Sequence, residues 1–379
     1  MEETEGALRA GGPRGRAGGF ADWLPGAAEA RRHTAGACLD AFYAWGYGLV
    51  DTPLAEPLDT IATGLDAAHQ RQLFRFMDSD GSLLALVGER TVSVARVVAT
   101  QLRDGPFPLR LCYSGSVLRN QPLLGGRLRE ELQAGCELVG AGGLHADAEC
   151  VALASEALSR AGVEGVQIDV GHADLLPGLL AGAGLDALSR DRVLGALAAR
   201  DLVAVESALE GTDLGAAERH LLLRFPALRG GRELLDAAAA DLAGERPLRA
   251  IAQLAELWDL LMAHGLEGVV HLDLGAVRDW DYYTGPTFEL FSGDLGFPLG
   301  SGGRYDRLLA RFGADRPATG FVLHVDRCVD ALLRRNPARV ADVAALEVVA
   351  GREAEAVESA RRLRAAGRRV ALDLEPRRA

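Results

Sequence analysis

The sequence predicts an α+β fold built on a mostly antiparallel sheet flanked by helices. Two observations carry this. Short apolar runs with strand character, bounded by Gly, Pro and Asp, fall in two blocks, and between them lies a long stretch of Ala, Leu, Arg and Glu with apolar residues at helical spacing. The regular strand–helix alternation of a parallel dinucleotide-binding sheet is missing from both blocks.

The elements follow in chain order. Residues 1–19 are rich in Gly and Arg, lack the apolar core of a signal peptide, and read as a disordered tail. Pro25 opens an Ala-rich amphipathic helix over Ala27–Tyr43, ended by Gly46. Gly48–Pro53 reads as a short strand closed by proline. Asp80-Gly81 marks a tight turn before a strand at Ser82–Leu86, and Thr91–Arg103 reads as a helix. Leu109–Leu118 is extended. After a loop with Pro122, Gly125 and Gly126, Leu132–Val139 pairs back against it. From residue 146 to residue 261 the pattern is helical, with one strand at Gly165–Val170, and reads as a helical insertion between core blocks 20–145 and 262–335. Strands return at Gly268–Leu274, Asp281–Phe291 and Thr319–Val325, with helices at Arg304–Phe312 and Asp326–Arg335. The glycine-rich run Gly296–Gly303 between them reads as a loop. Residues 336–379 hold one βαβ unit: a strand at Leu346–Ala350, a helix at Ala354–Ala366 and a strand at Arg369–Asp373. Gly367 stands where a helix C-cap belongs.

Composition narrows the function. Against 53 acidic residues stand 41 basic ones, a net charge of −12, which argues against a protein that holds nucleic acid through its phosphates. Every basic residue is Arg; without lysine there is no phosphate-loop lysine and no Schiff base. The five cysteines include no C-x-x-C pair, so neither a zinc ribbon nor a disulfide framework is expected, and no metal. No apolar run is long enough to span a membrane, and the cytoplasm is the expected compartment.

Three segments in fixed order then carry a resemblance. Val277–Glu289 contains Arg278 followed by Asp281-Tyr282-Tyr283-Thr284. Ser301–Asp306 reads Ser-Gly-Gly-Arg-Tyr-Asp. Tyr113–Glu137 holds Arg119 and ends Gln133-Ala134-Gly135-Cys136-Glu137. Together they resemble the histidine-binding signature, the stretch downstream of it and motif 2 of the histidyl-tRNA synthetase family, within the class II aminoacyl-tRNA synthetases. Gly46–Pro57 resembles motif 1, which builds a dimer interface in that family. Leu84–Thr91 resembles the segment that meets the substrate's amino group, and Gly320–Arg327 resembles motif 3.

The resemblance implies a class II synthetase-like core and a histidine site. In it Glu89, Thr91 and Gln133 would hold the ammonium, and Glu137 and Tyr282 would read the imidazole, with Tyr283 beside them. Arg119 and Arg278 would offer cationic forks to a carboxylate or an adenylate phosphate. The nucleotide side departs from the family pattern. Gln121 stands where a Glu would accept the adenine amino group, and His324 replaces a glycine at the nucleotide wall, although Arg327 is kept. Val87-Gly88 and Arg90 also depart around Glu89. The tail resembles only the first βαβ unit of the family's anticodon-binding domain. A kept histidine pocket, a degenerate nucleotide site and a shortened tail together resemble the paralogous family of ATP phosphoribosyltransferase regulatory subunits. That resemblance implies a non-catalytic subunit of the first step of histidine biosynthesis. It implies histidine as feedback effector, no cofactor, and a homodimer core within a hetero-octamer with the short-form catalytic subunit; tRNA binding is not expected. A catalytic histidyl-tRNA synthetase that adenylates histidine is the alternative.

Overall fold

A computed structural model of the chain describes residues 15, 17–123, 128–181, 184–210, 212, 215–242, 244–276, 281–335, 346–351 and 353–373. Its elements run α1 (Ala27–Ala44), β1 (Gly48–Leu49), β2 (Ala55–Pro57), α2 (Leu58–Thr63), α3 (Ala67–Arg71), β3 (Arg75–Met77), β4 (Leu83–Leu86), α4 (Arg90–Gln101), β5 (Leu109–Leu118), β6 (Glu130–Val139) and α5 (Leu144–Arg160). There follow β7 (Val166–His172), α6 (Leu175–Ala181), α7 (Ala187–Ala198), α8 (Leu202–Ala208), α9 (Ala216–Arg224), β8 (Arg229–Gly230), α10 (Glu233–Asp241), α11 (Glu245–Ala263) and β9 (Val270–Asp273). The chain closes with β10 (Pro286–Ser292), β11 (Gly300–Arg304), β12 (Ala318–His324), α12 (Val325–Arg335), β13 (Glu347–Val349), α13 (Ala354–Ala365) and β14 (Val370–Leu372).

Nine strands form one sheet in the order β1-β5-β6-β12-β11-β10-β7-β9-β8. Its middle, from β5 to β7, is antiparallel throughout, with parallel pairs only at β1/β5 and β7/β9. This is the α+β architecture expected. A small sheet, β2-β4-β3, leads into α4, and β13 and β14 pair in parallel around α13.

The two faces of the sheet are sorted by the two-residue period of its strands. On β6 the even positions Ala134, Cys136 and Leu138 join the larger core, beneath α1, α5, α11 and α12, with Phe42, Leu153, Leu158 and Ile168. The odd positions face the other way, toward Tyr113, Tyr282, Tyr305, Val94 and Val98. All five cysteines are free and buried, and burial pushes the Cys38 thiol up to about 12. Among the described residues there is no group of three or more His, Cys, Asp or Glu placed to hold a metal ion, and no helix long and apolar enough to cross a membrane.

Several sequence expectations change. The strand expected inside the helical insertion is β7, and it pairs with β10 along its whole length in the main sheet. Helix α5 packs on α1 and on the sheet beside it, so residues 144–172 belong to the same core as the flanking blocks. The run Gly296–Gly303 is no loop over its last residues. Gly300–Arg304 is β11, hydrogen-bonded to β10 and β12 on its two sides. Its glycines answer to crowding rather than mobility, since a Cβ on Gly302 would lie 2.4 Å from the Gly320 carbonyl oxygen. Arg304–Phe312, expected as a helix, begins as the end of β11 and becomes helical only as a 3₁₀ turn at Leu309–Phe312. Asp281–Gly285, expected as strand, precedes β10 as a turn. Residues 125 and 126 of the expected loop, and most of the expected tail, lie outside the described residues.

Arg304 fastens this sheet to the helical layer. Its buried guanidinium donates to Asp147 Oδ2 at 2.8 and 3.0 Å, to the Ala141 and Gly143 carbonyls at 3.2 and 3.0 Å, and to Asp306 at 3.1 Å. It thereby satisfies the turn that leads into α5 as well as a carboxylate in the first turn of that helix. Arg304→Ala would leave the Asp147 charge buried without its partner. We expect a loss of about 3–5 kcal/mol, read as a lowered midpoint in urea unfolding.

Candidate functional site

The site lies on the odd face of β6, where Glu131, Gln133, Gly135 and Glu137 point to one side. Across the ladder Gln133 pairs with His324 and Glu137 with Gly320. A Cβ on Gly320 would lie 2.0 Å from a Glu137 carboxylate oxygen. The glycine is therefore what lets Glu137 lie flat against β12. Gly135 leaves the same kind of room for the Tyr113 ring, 2.6 Å from where its Cβ would be.

Glu137 is buried, and the Tyr305 hydroxyl donates to it. Burial pushes the Glu137 carboxyl up to about 8, against the opposing pull of the Tyr305 hydroxyl and with a further upward push from the Glu89 charge. Tyr282 is also buried; its ring stands edge-on to Tyr283, centroids 5.0 Å apart, and to Tyr305 at 5.7 Å. Both polar atoms of Gln133 are buried with no hydrogen-bond partner among the described residues. A buried primary amide left in this state costs free energy that a polar ligand would return.

The opposite wall is the start of α4. Glu89 caps this helix, accepting from the Thr91 amide at 3.3 Å. Its other oxygen accepts from Arg119 at 3.2 Å, while Arg119 Nε donates to the Gly88 carbonyl at 2.8 Å. Arg90, the departure next to Glu89, turns away. Its guanidinium is buried and donates to the Thr52 hydroxyl and the Ser116 carbonyl at 3.1 Å each. It fits because position 115 is a glycine: a Cβ there would lie 2.3 Å from Arg90. The structure therefore brings Glu89, Thr91, Arg119, Gln133, Glu137, Tyr282 and Tyr283 around one side of the sheet. Arg278 lies outside the described residues.

The residues expected on a degenerate nucleotide side are engaged elsewhere in the fold. Gln121 spends its amide inside its own hairpin, donating to the Leu128 carbonyl at 2.8 Å. His324 is buried at the end of β12, its Nδ1 2.9 Å from Glu131 Oε2. Arg327 lies 3.1 Å from the other Glu131 oxygen and donates to the Pro298 carbonyl at 2.9 Å. The first acid of α12, Asp326, pairs with Arg31 at 2.5 Å and accepts from the Leu132 amide at 2.9 Å, which fixes the end of β12 against β6.

Two further residues belong to this face. Tyr305 lies in the Ser301–Asp306 stretch, whose resemblance implies no role for it. Glu131 falls one residue before the strand expected at Leu132–Val139. The signal for it was its period: two residues before Gln133, it must share that face.

A family model described as histidyl-tRNA synthetase matches residues 19–328. An ATP phosphoribosyltransferase regulatory subunit of Moorella thermoacetica is 41% identical over 360 residues, 95% of this chain and 92% of that one. One from Geobacter sulfurreducens is 39% identical over 94% of this chain and 82% of its own length. A crystal structure titled as an ATP phosphoribosyltransferase regulatory subunit/histidyl-tRNA synthetase from Bacillus halodurans superposes with a TM-score of 0.85 at 31% identity, covering 96% of this chain and 93% of that one.

The raised Glu137 carboxyl sets a pH dependence. Between its ordinary value of 4.5 and about 8, the folded protein holds a proton that the unfolded chain has released. Stability from this group is complete below 4.5 and is lost as pH rises through about 8. In ligand-free protein, thermal melts should therefore show a midpoint falling across that window, and Glu137→Gln should flatten the fall relative to wild type.

Proposed function

Because the chain belongs to the family of ATP phosphoribosyltransferase regulatory subunits, built on the histidyl-tRNA synthetase fold, we propose that it is a non-catalytic subunit that senses histidine for a catalytic partner chain. The observation that carries the reading is the contrast across β6. At one end Gln133 and Glu137, facing Glu89 at the start of α4, form a buried polar wall in which the Gln133 amide and one Glu137 oxygen have no partner among the described residues, suited to a small zwitterion bearing an imidazole. At the other end His324 and Arg327, which would face a nucleotide, are both drawn to Glu131, and Gln121 is closed onto the Leu128 carbonyl.

In this reading Glu89, Thr91 and Gln133 take the ammonium, Glu137 and Tyr282 the imidazole, and Arg119 the carboxylate, with Tyr283 as a wall. Arg119 is already paired with Glu89 in this state. A ligand ammonium arriving at Glu89 would compete for that carboxylate and leave the guanidinium fork to the ligand carboxylate. The partner is the short-form ATP phosphoribosyltransferase catalytic subunit of histidine biosynthesis, in the cytoplasm, and the assembly is a hetero-oligomer around a dimer of this chain. Feedback requires that histidine bind the inhibited assembly more tightly than the active one; a coupling of roughly 1–3 kcal/mol would change activity about 5–150-fold.

The test is calorimetric titration with histidine beside an ATP–pyrophosphate exchange assay on the same protein. Saturable histidine binding without exchange, followed by histidine-sensitive phosphoribosyl transfer once the short catalytic chain is added, is the expected result. Histidine-dependent exchange would instead make the chain a synthetase. Gln133→Ala should weaken histidine binding by about 1–3 kcal/mol with little change in the melting temperature, since it removes a side chain already lacking partners.

A further inference from the structure

We propose that Glu131 is a built-in counter-anion, seated on the guanidinium and imidazole groups where a polyphosphate chain would otherwise settle, and that it keeps this chain from binding nucleotide. The inference stands apart from the effector reading and does not require that histidine bind.

Three groups from three different elements converge on this one carboxylate. His324 ends β12, Arg327 lies in the first turn of α12, and Arg119 follows β5. Their nitrogens lie 2.9, 3.1 and 3.9 Å from Glu131, the imidazole and Arg119 beside one carboxylate oxygen and Arg327 beside the other. Such convergence of guanidinium forks and an imidazole on one enclosed face is the donor set that suits a phosphate, whose oxygens take several charge-assisted hydrogen bonds at once. Here the anion is supplied by the protein itself.

The occupant is also difficult to displace. Glu131 stands on β6, a central strand paired on both sides, so its backbone cannot swing away as a loop residue could. Its side chain is 14% exposed. Burial alone would favour the neutral acid, yet His324, Arg327 and Arg119 hold the group well below the usual carboxylate range, so it is charged at neutral pH. An anion on the same chain acts at a high effective concentration against any free competitor. The remaining capacity is also committed. Arg119 is shared with Glu89, Arg327 with the Pro298 carbonyl, and Gln121 is closed into its hairpin.

The test compares the wild-type chain with Glu131→Gln, which keeps shape and removes charge. The probes are inorganic tripolyphosphate and, separately, magnesium ATP, read by calorimetry and by thermal melts. Glu131→Gln should bind tripolyphosphate roughly tenfold or more tightly than wild type. Adding Arg327→Gln to it should abolish that gain. If the single variant has no cooperative melt, Glu131→Gln with His324→Asn removes both partners of the closest contact and takes its place. Equal binding by wild type and variant overturns the proposal, as does a cooperatively folded variant without the gain. Failure of both variants to fold, with or without tripolyphosphate, would make Glu131 a structural anchor only and would overturn it as well. Tighter binding of ATP than of tripolyphosphate by the variant would show that the adenine wall also reopens.

Discussion

The site depends on the absence of side chains at the centre of the sheet. Gly135 on β6, Gly320 on β12 and Gly302 on β11 stand on adjacent strands, and a Cβ on any of them would collide with a neighbour's backbone or with the side chain of Glu137, Tyr113 or Phe288. The strands can therefore carry Glu137 flat between them, beneath Tyr305, and hold Tyr113 against β6. Glycine weakens a strand in isolation. Here the cost is offset by pairing on both sides and by the Arg304 tether between the sheet and α5.

Burying carboxylates on one strand face poses a solvation problem, and the chain solves it in two ways. Glu137 is cut off from water and has a second carboxylate, Glu89, nearby, so the neutral form is favoured and its pKa rises despite the hydroxyl groups that hydrogen-bond to it. Glu131, three alternations away, is given two guanidinium groups and an imidazole and remains charged. Gln133 lies between them, neutral and without hydrogen-bond partners among the described residues. The strand thus runs from an ionised, fully engaged end through an unsatisfied amide to a protonatable acid. Among the described residues, the unmet hydrogen-bonding capacity along this face of the strand lies in its second half.

How much of this could be read from the sequence depends on how local each signal is. Strand β5 has the bounds expected from its apolar content, and β6 begins only two residues early. The placement of β7 was not legible. A strand flanked by helices looks like part of an insertion, and only its non-local pairing with β10 shows that it belongs to the sheet. Strand β11 was hidden by its composition, because Gly-Ser-Gly-Gly opposes strand propensity and tertiary crowding overrides it. Likewise Asp281–Gly285 carries aromatic residues that suggest a strand, but the two tyrosines pack as a wall ahead of Pro286 rather than pairing in the ladder. In the site, Glu89, Gln133 and Glu137 were legible as members of ordered motifs. Glu131 was not, because its partners His324 and Arg327 are almost two hundred residues distant in sequence and are brought to it only by the pairing of β6 with β12.

That pairing also bears on how a change at one end of β6 could be felt elsewhere. Arg119 is the residue common to both ends: its guanidinium lies 3.2 Å from Glu89 and 3.9 Å from Glu131. A ligand that draws Arg119 away from Glu89 changes the field at Glu131, and Glu131 in turn holds Arg327 and His324 at the junction of β12 and α12. The same junction is pinned by Asp326 to Arg31 of α1, and α1 and α12 pack on each other over the larger core. Ligand binding on the odd face of the sheet therefore has a route of direct charged contacts to the helices on the even face. A continuous chain of contacts does not establish coupling, which needs two arrangements of comparable free energy. The arrangement present here is the one in which Arg119 is held by both carboxylates. The competing one, with Arg119 turned to a ligand carboxylate, gives up the Glu89 pair and keeps the rest of the Glu131 cluster. The charged cluster at the α12 junction would then persist in both states, and the difference between them would lie mainly in the position of a single guanidinium.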